Sequence, residues 1–345
     1  MHCFKPFYRM QVAPDREGNA VIASCYYNQY LPGNRFVVKE DLTSAWNSRQ
    51  FRFQRQLALD GDGGLCFEAV CDANTHARVW EEQVANVSGH VPLAILQRRT
   101  KLDYFPPLVV VFPSFSCNNH CSFCFFSKKD FSGNKYRLKP HFLEELKNVF
   151  FPKAEAIVIN GGDPFCSDEG WGLMEWLVAS NLKKRIMLKT NGVLLEKFGI
   201  ERLIAKGVES QITLFGMRED TYRKATGTDH FRQVMGTVEK FLAMGAGNLL
   251  EFTFVVADEN AEDAEEFCRL IECHPQVKGV LWNEAFRDLK YQKLVRTLEK
   301  RFAYLVPRLN FCYTDETFQR RWWRARYFPL HGLKYWRAMK QKLGD

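Results

Sequence analysis

The sequence predicts an α/β fold: a partial six-unit β/α barrel of TIM type over residues 107–288, preceded by a small α+β module. Two observations predict it. From residue 107 onward, short apolar segments alternate with helical patterns at 108–112, 156–160, 186–189, 211–214, 251–256 and 279–282. Repeated strand–helix units imply a parallel sheet covered by helices. The residue types that carry chemistry stand just after these segments, at the strand ends where a barrel places its sites.

The elements follow in order. Residues 7–12 alternate apolar side chains, Asp15-Arg16-Glu17-Gly18-Asn19 is turn chemistry, and 20–26 reads as the returning strand of a hairpin. Short helices are expected around 41–46 and 48–59, the second stopped by Asp60-Gly61-Asp62-Gly63-Gly64. Residues 75–104 are mixed. Beyond the first barrel strand, Pro140 suits a first helical turn and precedes Phe142, Leu143, Leu146, Val149 and Phe150. Phe231, Val234, Met235, Val238, Phe241 and Leu242 follow the i, i+3, i+4, i+7 spacing of an amphipathic helix. The expected organisation is a module at 1–75, a linker at 76–106, the barrel at 107–288 and a helical, basic-aromatic extension at 289–345.

Composition limits the classes of function. Of 345 residues, 46% are hydrophobic and 26% charged, which argues against a disordered chain or a rod. The longest apolar run, 106–115, is too short to span a bilayer, and residues 1–6 lack the apolar stretch of a signal peptide. A cytoplasmic protein without a membrane span is expected. The net charge of +8 is concentrated at the end: Arg320, Arg321, Arg324, Arg326, Lys334, Arg337, Lys340 and Lys342 stand against Asp345 alone. Arg320-Arg321-Trp322-Trp323-Arg324-Ala325-Arg326-Tyr327 interleaves cations with aromatics. That pattern suits stacked bases and phosphates, a membrane surface, or a tail packed on the barrel.

Eleven cysteines, an odd number, point to metal or redox chemistry more than to a disulfide frame. Cys117, Cys121 and Cys124 are spaced CxxxCxxC directly after the first barrel strand. Three thiolates on one loop can hold three irons of a cubane and leave the fourth open. A zinc site completed by His120 or a distant cysteine is the alternative reading. Cys3, Cys25, Cys66 and Cys71 form a second set. Antiparallel pairing would bring Cys3 and Cys25 to the open end of the hairpin, so four thiols could share a metal or simply be buried.

The central motif, with Phe123 before its third cysteine, resembles that of the radical S-adenosylmethionine (SAM) enzymes. Asn160-Gly161-Gly162-Asp163-Pro164 resembles the family's GGEP element, with Asp in place of the commoner Glu. Thr190-Asn191-Gly192 resembles its TNG, and 212–216 with Tyr222-Arg223-Lys224-Ala225-Thr226-Gly227 resembles its fourth-strand region. The resemblance implies a [4Fe–4S] cluster on Cys117, Cys121 and Cys124, and SAM on its open iron. It further implies reductive cleavage of SAM to a 5′-deoxyadenosyl radical that abstracts a substrate hydrogen atom. It assigns Gly161, Gly162, Asp163 and Pro164 to the methionine end of SAM, where the acidic residue meets the amino group. Thr190 and Asn191 join the same site, Thr213 and Arg223 the ribose or carboxylate, and Val255 or Val256 the adenine unless that valine is plain core.

A second resemblance covers the N-terminal segment. Cys3-Phe4-Lys5-Pro6-Phe7, Asp15 to Asn19, Cys25, Pro32-Gly33-Asn34, Ala45-Trp46-Asn47-Ser48, Phe51, Arg55, Cys66 and Cys71 resemble the SPASM/twitch module, here placed before the barrel. It implies an auxiliary [4Fe–4S] cluster on the four cysteines, two clusters in all. Cys166 and Cys312 are candidate hydrogen-atom donors or packed thiols, and Glu284 is a candidate substrate ligand or a solvated carboxylate. The expected activity is oxidation, epimerisation or rearrangement of a small-molecule or nucleoside-type substrate, with an electron donor such as flavodoxin or ferredoxin. Modification of a peptide or nucleic acid is the alternative. A non-catalytic metal-cluster protein that binds nucleic acid is the alternative of another class.

Overall fold

The apolar segments become strands because β-branched and aromatic side chains fill both faces of a sheet that is itself covered. The computed structural model describes residues 4–25, 36–60, 89–124, 136–283, 291–306 and 308–312. A helical turn, α1 (Lys5–Tyr8), leads into β1 (Arg9–Pro14), which pairs antiparallel with β2 (Ala20–Ala23), and β2 with β3 (Phe36–Val38). Helices α2 (Thr43–Trp46), α3 (Arg49–Leu59) and α4 (His90–Leu96) follow. The parallel array is β4 (Leu108–Val111), β5 (Ala156–Ile159), β6 (Arg185–Thr190), β7 (Glu209–Leu214), β8 (Leu250–Val256), β9 (Lys278–Asn283) and β10 (Leu309–Cys312). Between its strands run α5 (Pro140–Glu145, continued by a π turn to Phe150), α6 (Asp168–Ala179), α7 (Leu195–Phe198), α8 (Ile200–Lys206), α9 (Glu219–Thr226), α10 (Phe231–Ala243), α11 (Ala264–Cys273) and α12 (Gln292–Arg301).

All ten strands of the described residues form one sheet, ordered β10-β9-β8-β7-β6-β5-β4-β1-β2-β3. This is an α/β fold on a mostly parallel sheet, consistent with a TIM-like barrel that does not close. Two features depart from the sequence reading. The N-terminal hairpin is continuous with the barrel sheet, because β1 lies parallel to β4 with Arg9 opposite Leu108 and Val12 opposite Val111. Residues 5–8 coil before that strand starts, since Pro6 sits in the first helical turn and fixes its φ there. Second, 309–312 adds a seventh parallel strand where a helical extension was expected. Its four residues, Leu-Asn-Phe-Cys, are too few to show a period.

The sheet has two chemically distinct faces. In β7 and β8 buried and half-buried residues alternate, with Ile212, Leu214, Phe252 and Phe254 on the buried side. Helices cover that side: the Phe254 ring meets Phe267 of α11 at 5.1 Å, and Gly279 of β9 lies against Ile271. Burying each phenylalanine contributes about 2–3 kcal/mol. The opposite, half-buried face carries Gln211, Thr213, Glu251, Thr253 and Val255. No helix of the described residues is long and apolar enough to cross a membrane.

The Trp46-Asn47-Ser48 element and Arg55 make a structural knot. Ser48 caps α3 by accepting from the Phe51 amide. Arg55 is fully buried, and donates to the carbonyls of Pro6 (2.9 Å), Trp46 (2.6 Å) and Thr100 (2.8 Å) and to Asn47 Oδ1 (3.0 Å). Its guanidinium carbon stands 4.4 Å from the Trp46 ring centre. Asn47 exchanges hydrogen bonds with the Leu102 backbone, and Trp46 Nε1 donates to the Tyr104 carbonyl. The segment around residues 97–104 is thereby tied to the N-terminal hairpin.

Candidate metal and SAM site

The CxxxCxxC loop begins where β4 ends and is held on three sides. Its floor is the loop after β5. The Gly162 amide donates to the Ser114 carbonyl (3.2 Å) and the Asp163 amide to the Ser116 carbonyl (2.8 Å). The two backbones lie so close that a Cβ on Gly162 would stand 2.3 Å from the Ser116 oxygen and 2.4 Å from the Phe115 oxygen. Only glycine permits that approach. Gly162→Ala is therefore expected to cost about 1–3 kcal/mol through overpacking. Gly172→Ala is the control, since Gly172 lies in α6 with nothing within 4 Å of its Cβ position. Chemical denaturation should show the first variant destabilised and the second unchanged or stabilised.

The second side is α9. Its last carbonyls, Ala225 and Thr226, accept from the amides of Ser122 (3.0 Å) and His120 (2.8 Å). Asn119, almost fully buried, donates to the Tyr222 hydroxyl (3.4 Å) and accepts from Thr228 Oγ1 (3.1 Å). Gly227 caps the helix at φ +69°, a conformation that costs a larger residue steric strain. Phe123 stacks on Phe215 at 5.9 Å, just beyond β7. The start of α9 is fixed by buried Asp263, which accepts from the Met217 amide (2.7 Å), Arg218 Nε (2.9 Å) and Thr221 Oγ1. The reading from sequence missed Asn119, Tyr222, Thr226 and Asp263 as supports of the cysteine loop. Their signal was the Tyr-to-Gly stretch at 222–227, whose physical reason lies in these contacts.

The third side joins the other two motifs. Asp163 has no solvent exposure. Its Oδ2 accepts from Thr190 Oγ1 (2.6 Å) and the Asn191 amide (2.9 Å), and its Oδ1 from the Phe165 amide (3.0 Å). Burial pushes this carboxyl above the usual carboxylate range, against the pull of the three hydrogen bonds. The group expected to face the SAM amino group thus braces the β5 loop against the β6 loop, with its lone pairs directed into the protein. Asn191 Nδ2 in turn donates to Asn118 Oδ1 (2.6 Å) and Cys117 Sγ (3.7 Å).

The thiols themselves sense one another. Burial, then the negative charges of Cys124 and Cys117, push the Cys121 thiol up. The Cys117 residue is exposed, yet the packing around its sulfur pushes its thiol up to about 11, with Asp163 and Cys124 adding to the rise. Three thiols that repel as thiolates, on one loop, are a soft donor set that a multi-iron cation would relieve. Among the described residues no three His, Cys, Asp or Glu side chains stand close enough to hold a single metal ion. Three thiols on one loop are the donor set that a cluster with one open iron would take.

The remaining candidates separate. Thr213 and Val255 both lie on the half-buried sheet face, Thr213 opposite Thr253 and Val255 opposite Trp282. Cys312, buried at the end of β10, is opposite Trp282 on the same face. Cys166 ends the turn opened by buried Pro164. Burial, then the charges of Asp163 and Cys117, push its thiol up, and it accepts from the Asn118 amide. It also lines a cavity of about 450 Å³ with Arg137, Phe165, Trp171 and Lys197. Arg223 is not brought to this site: it is exposed on α9 and pairs with Asp229. Cys25 is buried two residues past the end of β2. Cys3, Cys66, Cys71, Glu284 and the basic-aromatic tail lie outside the described residues.

A family model described as the Radical SAM superfamily matches residues 111–271. A protein of Saccharolobus solfataricus named "Probable GTP 3',8-cyclase" is 25% identical over 214 residues, 56% of this chain and 68% of the relative. A "GTP 3',8-cyclase" of Alkaliphilus metalliredigens is 27% identical over 161 residues, and the match spans about half of each chain (45% and 49%). Among solved structures, Streptococcus suis SuiB bound to S-adenosylmethionine is similar at 17% identity and a TM-score of 0.49, over 89% of this chain and 70% of that one. The family match begins at the last residue of β4 and takes in all three motifs that the geometry joins. Residues 111–271 match a radical SAM domain, and the protein that carries them is an enzyme.

Proposed function

We propose that Cys117, Cys121 and Cys124 hold a [4Fe–4S] cluster that binds SAM, and that the enzyme acts on a nucleoside-type or other small-molecule substrate. The observation that carries this reading is the hydrogen-bonded chain from Asp163 through Asn191 to Cys117, which joins three motifs in one rigid site. When bound, the cluster and SAM supply one electron and a carbon radical able to take hydrogen from an unactivated carbon. The residues of this chain do the rest. The β5 loop, through Gly161 to Pro164, and the β6 loop, through Thr190 and Asn191, shape the rim beside the cysteines. Thr213 and Val255 offer a hydroxyl and an apolar surface from the half-buried face to a bound nucleoside. Burial keeps the Cys166 thiol protonated, the state in which it could donate a hydrogen atom to a substrate radical. Cys312, on the half-buried face, is the second candidate for that role. Hydrogen abstraction by a carbon radical requires a site closed to water and a target carbon held in place.

The relatives' names favour a purine nucleotide over a peptide as substrate. The N-terminal cysteines, Cys3, Cys25, Cys66 and Cys71, form a second, auxiliary cluster in this reading, and a donor such as flavodoxin or ferredoxin supplies the enzyme with electrons. The test is anaerobic incubation of iron-loaded protein with SAM, dithionite and GTP, followed by chromatography of the products. The reading predicts 5′-deoxyadenosine, formed faster when the right nucleotide is present. No 5′-deoxyadenosine under any condition would overturn it.

A further inference from the structure

Asn191 is expected from sequence to serve SAM, yet its side chain is spent on the cysteine loop. It is only 5% exposed. Its Oδ1 accepts from the Val193 amide at 3.0 Å, which fixes the amide orientation and turns Nδ2 outward. One Nδ2 hydrogen goes to Asn118 Oδ1 at 2.6 Å and the other to Cys117 Sγ at 3.7 Å. Its own backbone N–H is anchored on buried Asp163. Three partners, the Val193 amide, Asn118 Oδ1 and Asp163, therefore set the position of one N–H against one sulfur.

We propose that Asn191 is a positioning residue that tunes the reduction potential of the cluster by donating a hydrogen bond to the Cys117 sulfur. The inference rests on the cluster reading above and adds a role to it. Iron–sulfur potentials respond to hydrogen bonds at the ligand sulfurs and to groups just outside the ligands. A donor at sulfur withdraws electron density and stabilises the additional negative charge of the reduced state more than the oxidised state. Removing it makes the cluster harder to reduce. The Asn119 amide also reaches Cys117 Sγ, at 3.5 Å. That donor belongs to the loop backbone and is present in every variant, whereas the Asn191 bond comes from another strand and varies with one side chain. The bond also explains why motifs on separate strands meet: Asp163 sets the backbone of residue 191, and residue 191 sets the field at Cys117.

The test is a redox titration of the reconstituted protein followed by electron paramagnetic resonance, with iron counted for each sample. Asn191→Ala and Asn191→Asp both remove the donor, and the second keeps the shape and the Val193 acceptor. Both are expected to retain iron and to shift the midpoint downward. Thr190→Val loosens the same loop at Asp163 but leaves the amide–sulfur pair, and is expected to leave the midpoint unchanged. Unshifted midpoints in both Asn191 variants would overturn the proposal, as would an equal shift in Thr190→Val. Loss of iron from both Asn191 variants would make the residue purely structural and also overturn it. A wild-type protein that assembles no cluster overturns the underlying reading first, before any variant is compared.

Discussion

Alanine at Cys121 is expected to abolish cluster assembly and every SAM-dependent product, with activity falling below detection. Cys121 is the most enclosed of the three thiols, at 5% exposure, and Tyr222, Phe123 and the end of α9 surround its loop. A cubane with an open iron has three protein ligands, so losing one leaves two irons without thiolates. The fold should survive. Cys→Ala removes only a small buried group, and the contacts of Asn119, His120 and Ser122 with α9 involve no thiol. Far-ultraviolet circular dichroism unchanged beside lost iron absorbance is the expected pair of results. Retained iron and SAM cleavage in Cys121→Ala would contradict the assignment.

Arg55→Ala is expected to be the most destabilising substitution outside the cysteine loop, by about 4 kcal/mol or more. The guanidinium is fully buried and, among the described residues, pairs with no carboxylate. Burial pushes its pKa down to about 9, so it remains charged at neutral pH. Its compensation comes from three backbone carbonyls, the Asn47 side chain and the Trp46 ring. Truncation takes this donor from the three backbone carbonyls, at about 1–3 kcal/mol each before relaxation, while Asn47 Oδ1 keeps the Leu102 amide, and it forfeits a desolvated cation–π contact of about 2 kcal/mol. The linked segments at Pro6, Trp46 and Thr100 should loosen together. Urea unfolding of metal-free protein checks the magnitude. Arg55→Lys should rescue little, because an ammonium has three donors and no planar fork. A loss below about 1 kcal/mol for Arg55→Ala would show that the knot is dispensable.

Much of this was legible in the sequence, for identifiable reasons. The six strands after residue 107 were readable because each is an apolar run bounded by turn residues, and the structure places strands at all six positions. β10 was not readable, because four residues with an asparagine inside carry no period. The junction of the N-terminal hairpin with β4 was also hidden. Strand pairing between segments about a hundred residues apart leaves no local mark, and the hairpin alone reads as a separate unit. At the site, the spacing of cysteines and glycines located the loops but gave no roles within them. The resemblance to the family's GGEP element makes Asp163 a SAM ligand. Its complete burial and three donors, which only the fold reveals, make it a brace. The resemblance assigns Arg223 to the ribose or carboxylate of SAM, whereas the helix turns it to solvent and to Asp229.

The central claim is that three cysteines on one loop hold an iron–sulfur cluster. The most direct test counts iron and zinc per chain after anaerobic reconstitution, for wild type beside a Cys117/Cys121/Cys124→Ala triple variant. The account predicts that the triple variant loses about four irons per chain relative to wild type. Any iron that remains reports on the N-terminal cysteines. Equal iron in both proteins, or zinc in place of iron in the wild type, would contradict it.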